Sequence, residues 1–259
     1  MATATADDLK GFDLPDDIVD IQEYTENITM LLYGDPGIGK TRFLGSAKRA
    51  LILGIENGTI SAKKAPGNSK VWRCPKWSNF LEAYNWLEDA TRDEKFPFDW
   101  LCIDTGTQLQ LDIRRDIVDA DVEADDERNP DKVELQEYGE EQMRLMRYVT
   151  LVNDLPVNVC WTAHAMFAED DPGLRMPNFH GRDGKVANWI AAQMHMVGYM
   201  HMDAVKTTKG VQTMRVIEWQ PNKKWMAKDR FDALGRRTVG KGLADITKII
   251  ESSNAVGSE

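Results

Sequence analysis

"GDPGIGKT", Gly34 to Thr41, is the stretch on which the reading of this chain turns. It fits G-x-x-x-x-G-K-[ST] at every fixed position, between an apolar run, "ITMLLY" (Ile28 to Tyr33), and a segment with helical spacing. The glycines let a loop wrap closely enough for backbone N–H groups to point at phosphate oxygens. A helix starting where the loop ends presents its positive pole to the same anion. In such a loop Gly34, Asp35, Pro36, Gly37, Ile38 and Gly39 surround the phosphates, with Arg42 completing the set. Lys40 pairs with the β- and γ-phosphates, and the Thr41 hydroxyl holds Mg²⁺. The expected ligands are ATP and Mg²⁺, although no base-reading motif separates ATP from GTP.

Outward from this loop, short apolar runs alternate with helix-period segments. "ALILGI" (Ala50 to Ile55), "KVWRC" (Lys70 to Cys74), "WLCID" (Trp100 to Asp104) and "VNVCWTA" (Val157 to Ala163) read as buried strands. Buried strands between helices imply an α/β fold with a mostly parallel central sheet flanked by helices. Phe80, Leu81, Tyr84 and Leu87 form one helical stripe behind Ser78 as N-cap, and Met143, Met146, Val149 and Val152 form another before Pro156; both read as core. "MHMVGYMHM" (Met194 to Met202) and "VQTMRVIEW" (Val211 to Trp219), separated by "DAVKTTKG", predict an antiparallel C-terminal hairpin that extends the sheet. His195 and His201 fit strand alternation better than a soft-metal site, since no further ligands cluster nearby. Residues 1–25 read as a flexible acidic arm, 26–250 as a single domain and 251–259 as a disordered tail.

Two strand ends carry carboxylates. Asp104 is the natural partner of Thr41 at Mg²⁺. The next residue is Thr105, and a threonine cannot accept a proton from water at neutral pH. The general base must come from elsewhere. Glu56 ends "LILGIE", the strand after the loop's helix, and a parallel sheet releases all its strand ends on one edge, where Lys40 and Asp104 also lie.

Composition bounds the rest. The chain has 259 residues, 42% hydrophobic and 29% charged, with a net charge of −10 that argues against coating nucleic acid through the overall field. From Lys206 to Lys241 the balance reverses, with ten Lys/Arg against three Asp/Glu, which leaves room for an anion-binding face. "DADVEADDE" (Asp119 to Glu127) holds six acids in nine residues and reads as a mobile solvated loop. No apolar run approaches the ~18 to 20 residues that span a bilayer, and the start lacks the blocks of a signal peptide, so the expected location is the cytoplasm, with no membrane contact. Cys74, Cys102 and Cys160 are too scattered for disulfides or zinc and read as core residues.

The loop, the strand-end glutamate, Asp-Thr at the second strand end and "WTAHA" together resemble the RecA/RadA superfamily of P-loop ATPases, and among them the small core-only phage nucleotide-binding proteins of Sak type, single-strand annealing recombinases. The resemblance covers about Ile28 to Leu234. It implies a RecA-like core in which the strand "VNVCWTAH" (Val157 to His164) inserts between the P-loop strand and the Asp104 strand. It implies Glu56 as the residue that activates water and places His164 near the γ-phosphate as a sensor. The loop Met166 to Lys185 resembles the second DNA-binding loop of such proteins. Its Arg175, Arg182 and Lys185 suit phosphates, while Phe167, Phe179 and His180 suit stacking on bases. "MAKDRFDALG" (Met226 to Gly235) resembles the RadA element whose Lys and Arg reach a neighbouring subunit's nucleotide. Lys228 and Arg230 are therefore finger candidates, and an oligomer, filament or ring, is expected.

The resulting expectation is a Mg-dependent ATPase of phage recombination that binds single-stranded DNA as an oligomer, in a host cell's cytoplasm, with a single-strand binding protein as a further partner. The alternatives are an ATP-dependent assembly or partner-recruiting switch, favoured by the acidity, a RadA-like motor, and a P-loop nucleotide kinase.

Overall fold

The computed structural model describes residues 26–93 and 95–256, with Pro15 and Ile18. The expected N-terminal arm otherwise lies outside the described residues. Each apolar run becomes a strand: β1 (Thr29–Gly34), β2 (Ala50–Gly54), β3 (Lys70–Arg73), β4 (Trp100–Asp104) and β5 (Asn158–Phe167). There follow β6 (Arg175–Pro177), β7 (Met196–Thr207), β8 (Gly210–Glu218), β9 (Lys228–Asp229) and β10 (Arg237–Val239). The sheet order is β10-β8-β7-β1-β5-β4-β2-β3, with β6 on β5 and β9 on β7. The pairs from β7 to β3 are parallel, and β8 and β10 add the antiparallel extension. β5 lies between the P-loop strand and the Asp104 strand, as the RecA-like core implied.

β1, β2 and β4 are buried throughout because both faces of the sheet are covered there, whereas β3, expected as a buried strand, is the edge strand and is mostly exposed, with Val71 45% exposed. Side chains alternate across the sheet. Leu31, Tyr33, Leu53, Ile103 and Trp161 pack on one face with α2 (Trp77–Arg92), α3 (Gly106–Ala124), α4 (Leu135–Asn153) and α5 (Lys185–Gln193). Met30, Leu32, Ile52, Cys102 and Cys160 pack on the other with α1 (Lys40–Leu44) and α6 (Leu243–Val256). The three cysteines are free and buried. Among the described residues, no helix is long and apolar enough to cross a membrane.

Several local expectations are corrected. Lys76, not Ser78, is the N-cap of α2, because Trp77 is already helical and its ring is buried against Phe80. In α4 the buried line is Glu137, Glu141, Leu145, Val149 and Val152, while Met143 is 68% exposed. Met143 stands six residues before Val149, about 120° away round the helix. The phase of α4 is set by its glutamates, for which Arg114 and Arg128 provide partners. The acidic run is not a loop from its start, since Asp119 to Ala124 are the last turns of α3. "DAVKT" belongs to β7, so the hairpin turns at Thr208 and Lys209 alone, ahead of Gly210 at φ 97°. α6 runs to Val256, through most of the expected tail.

Candidate nucleotide site

The loop between β1 and α1 takes a shape that only its glycines allow. Gly37 and Gly39 have φ of 77° and 109°, and a Cβ on Gly34 would stand 2.4 Å from the Met200 carbonyl oxygen on β7. Lys40, only 5% exposed, folds back so that Nζ donates to the carbonyls of Gly34 (2.8 Å) and Asp35 (3.2 Å). Burial lowers its pKa, while Glu56, Asp104 and Asp35 push it up. The lysine is thus held among carboxylates at the place where phosphates are expected.

Asp104 ends β4 and is 1% exposed. Its Oδ2 accepts from Thr41 Oγ1 (2.7 Å) and its Oδ1 from Thr162 Oγ1 (2.8 Å). Burial raises its pKa, and the two hydroxyls pull it down. Mg²⁺ takes oxygen ligands, with one or two from protein and the remainder from phosphates and water. A buried carboxylate and an adjacent hydroxyl fit that requirement, and Thr41 and Asp104 would hold the ion. Among the described residues, no cluster of three His, Cys, Asp or Glu suggests any other metal.

Thr105 is fully buried, and its Oγ1 accepts from the Gln108 N–H (3.2 Å) as N-cap of α3. The residue beside Asp104 therefore serves helix initiation. Glu56 is placed by the turn after β2, where the N–H groups of Ile55 and Glu56 both reach the Asp104 carbonyl and Arg73 donates to the Glu56 carbonyl. Its Oε2 lies 3.1 Å from His164 Nε2. With the tautomer that places the ring proton on Nε2, His164 donates to this carboxylate. His164 stands opposite Gly34 on β5. A three-way clamp fixes its backbone: its N–H donates to Thr107 Oγ1 (3.0 Å), that hydroxyl donates to the Asn178 carbonyl (2.9 Å), and the Asn178 N–H donates to the His164 carbonyl (2.8 Å). Lys40, Thr41, Glu56 and His164 line one cleft of about 610 Å³, with Asp104 bonded beneath it.

The remaining candidates divide. Phe179 is 1% exposed and packs against Gly106 in the core, so it has no face to offer a base. Arg175 lies on β6, where its guanidinium stacks over the Phe167 ring (3.8 Å) and pairs with Asp35 (3.4 Å). Phe167, His180, Arg182 and Lys185 are exposed. Lys228 and Arg230 lie at the other edge of the sheet, because Asp229 pairs with Met196, level with Met30. That is four residues, roughly 13 Å, down β1 from Gly34. Lys228 Nζ donates to the carbonyls of Ala191, Ala192 and Met194 at the end of α5, while Arg230 is exposed.

Three contributors were not singled out in the sequence: Thr162, the Thr107–Asn178 clamp, and Arg215 of β8. Arg215 Nε donates to the Ile38 carbonyl (2.6 Å), and its side chain lines the cleft. Only the basic excess of its segment hinted at it.

Residues 26–231 match the family described as AAA domain (AAA_24). No curated protein matches the chain. Among solved structures it is similar to the KaiC-like protein PH0186 from the hyperthermophilic archaeon Pyrococcus horikoshii OT3, at 15% identity over 75% of this chain and 80% of that one, with a TM-score of 0.40. With the family matched across the P-loop and every strand end of the site, the chain belongs to the AAA domain family, AAA_24, and has the fold of a P-loop ATPase.

Proposed function

We propose that this protein hydrolyses ATP with Mg²⁺ and that Glu56 is the general base. The observation that carries the reading is the Glu56–His164 contact at 3.1 Å on the edge that also holds Lys40 and the Thr41–Asp104 pair. Water attacks the γ-phosphorus, its proton passes to Glu56, and the bond to the β-phosphate oxygen breaks to leave ADP and phosphate. Lys40 leaves its two carbonyls to neutralise the phosphates, and His164 orients the Glu56 carboxylate. Bound Mg²⁺ would add charge neutralisation at the β- and γ-oxygens. Because His164 is clamped through Asn178 to the chain that follows β6, the state of the γ-phosphate has a route to that segment.

Our reading extends to single-stranded DNA and to an oligomer, as in phage recombination with a single-strand binding protein nearby. What supports DNA contact is the exposed set Phe167, His180, Arg182 and Lys185, with Arg175 stacked on Phe167. What supports action between subunits is the placement of Arg230 away from its own P-loop. The partner-recruiting switch is favoured by one observation, the burial of Phe179, which removes an aromatic from the proposed DNA surface.

The test is steady-state ATP hydrolysis at low salt, with and without single-stranded DNA, for wild type, Lys40→Ala, Glu56→Gln and Arg230→Ala. Removing a general base lowers turnover by about 10² to 10⁴. Such a loss in Glu56→Gln with ATP binding intact supports the mechanism, and unchanged turnover refutes Glu56 as base. DNA stimulation lost in Arg230→Ala supports the oligomer, and turnover indifferent to DNA favours the switch.

A further inference from the structure

We infer that Arg215 is a phosphate-binding residue supplied in cis by the β7–β8 hairpin, and that it links nucleotide occupancy to the position of that hairpin. The inference rests on the nucleotide-binding reading above and adds a residue that the P-loop motif does not contain.

The backbone of Arg215 is held on both sides, by pairing with Met202 of β7 and by the Gly240 N–H, which donates to the Arg215 carbonyl (2.9 Å). From there the side chain reaches across to the P-loop. A Cβ built on Gly39 would stand 2.6 Å from Arg215 Nε and 3.0 Å from its Cζ, so the guanidinium lies directly on the last glycine before Lys40. Nε is engaged by the Ile38 carbonyl. Among the described residues, neither terminal nitrogen has a hydrogen-bond acceptor and no carboxylate lies within ion-pair distance of the group. Neighbouring arginines of the chain differ, since Arg237 pairs with Asp203 and Arg175 with Asp35.

A guanidinium has five N–H donors in a planar fork suited to phosphate. Here one donor fixes the group on the P-loop backbone and the other two nitrogens are left for an anion. Arg215 also lines a second cleft of about 430 Å³, between α1 and the hairpin, together with Gly39, Arg42, Met202 and Met214. It therefore stands where the phosphate cleft opens toward the hairpin. β1 ends at Gly34, paired with Met200, so β7 beyond Met200 and its partner on β8 project past that edge with Arg215 at their base. Binding a phosphate through Arg215 thus fastens the base of this projecting hairpin to the nucleotide.

The experiment measures ATP dissociation constants by calorimetry for wild type, Arg215→Gln, Arg215→Lys and Lys40→Ala, with amide hydrogen exchange over residues 201–215 with and without ATP. Gln keeps a neutral donor for the Ile38 carbonyl and loses the charge, whereas Lys keeps the charge and loses the fork. The expected result is about tenfold or greater weakening in Arg215→Gln, a smaller loss in Arg215→Lys, and ATP-dependent protection of the hairpin that disappears in Arg215→Gln. Melting temperatures matched to wild type exclude a folding defect in Arg215→Gln, and Arg215→Lys carries the test should that variant unfold. Full affinity in Arg215→Gln means that only the backbone bond mattered and overturns the inference alone. Failure of the wild type to bind ATP overturns the nucleotide reading, and this inference with it.

Discussion

Glu141 gives the sharpest test of how the site's supporting layer is built. It is fully buried on α4, where Oε2 accepts from Arg114 Nε and Oε1 from Gln110 Nε2 (2.5 Å). Gln110 in turn exchanges two hydrogen bonds with the backbone of His180, donating to its carbonyl (2.7 Å) and accepting from its N–H (2.8 Å). Glu141→Ala removes the acceptor and leaves the Arg114 guanidinium, whose side chain is 17% exposed, facing a cavity. Breaking a buried ion pair costs about 3 to 5 kcal/mol, and the residual hydration of Arg114 places this case near 3 kcal/mol. For a domain of this size that lowers Tm by about 6 to 12 °C. The assay is urea and thermal denaturation followed by circular dichroism. The double variant Arg114→Leu/Glu141→Leu removes both charges and regains most of the loss, because an apolar pair carries no desolvation cost. ATP affinity measured well below the transition stays close to wild type, since Thr107 holds His164 independently of this network. A Glu141→Ala protein that melts within about 2 °C of wild type, less than 1 kcal/mol, refutes the reasoning.

Asp104→Asn removes a carboxylate whose pKa burial raises. Because the folded pKa exceeds the unfolded one, wild-type stability falls as pH rises between them, and the cost is fully present above the folded value. The Tm advantage of the variant over wild type therefore grows from pH 4 toward pH 7, while its Mg-dependent turnover is lost; an advantage that shrinks with rising pH refutes the assignment. Gly37→Ala introduces only backbone strain, about 1 to 2 kcal/mol, because nothing lies within 4 Å of its Cβ position. Gly39→Ala also displaces Arg215, so its urea midpoint falls further than that of Gly37→Ala. Phe179→Ala costs about 3 to 5 kcal/mol of stability as a core truncation. Phe167→Ala, at a 49% exposed site, leaves the urea midpoint nearly unchanged and weakens binding to labelled single-stranded DNA; wild-type DNA affinity in Phe167→Ala removes that residue from the surface.

What the sequence made legible was whatever depends on position along a parallel strand. Lys40, Glu56 and Asp104 belong to three different segments, yet each lies at a strand's C-terminal end or just beyond it, and a parallel sheet collects those ends on one edge whatever the lateral order of its strands; His164 lies inside β5, which runs on to Phe167, but level with Gly34 at the end of β1. No long-range register had to be known. Arg215 shows the opposite case. Its strand runs antiparallel, so its nearness to Ile38, 177 residues earlier in the chain, depends on where the hairpin turns and on the pairing of Arg215 with Met202. Shifting the turn by one residue would send the side chain to the other face. The same dependence explains α4, where hydrophobic period alone selected a stripe through Met143, while the buried face is fixed by Glu141 finding Gln110 and Arg114 on α3. A buried charge follows its partner, and the partner's position is tertiary information. Lys228 follows the same logic, since three carbonyls at the end of α5 attract its ammonium, while Arg230, two residues on, stays exposed.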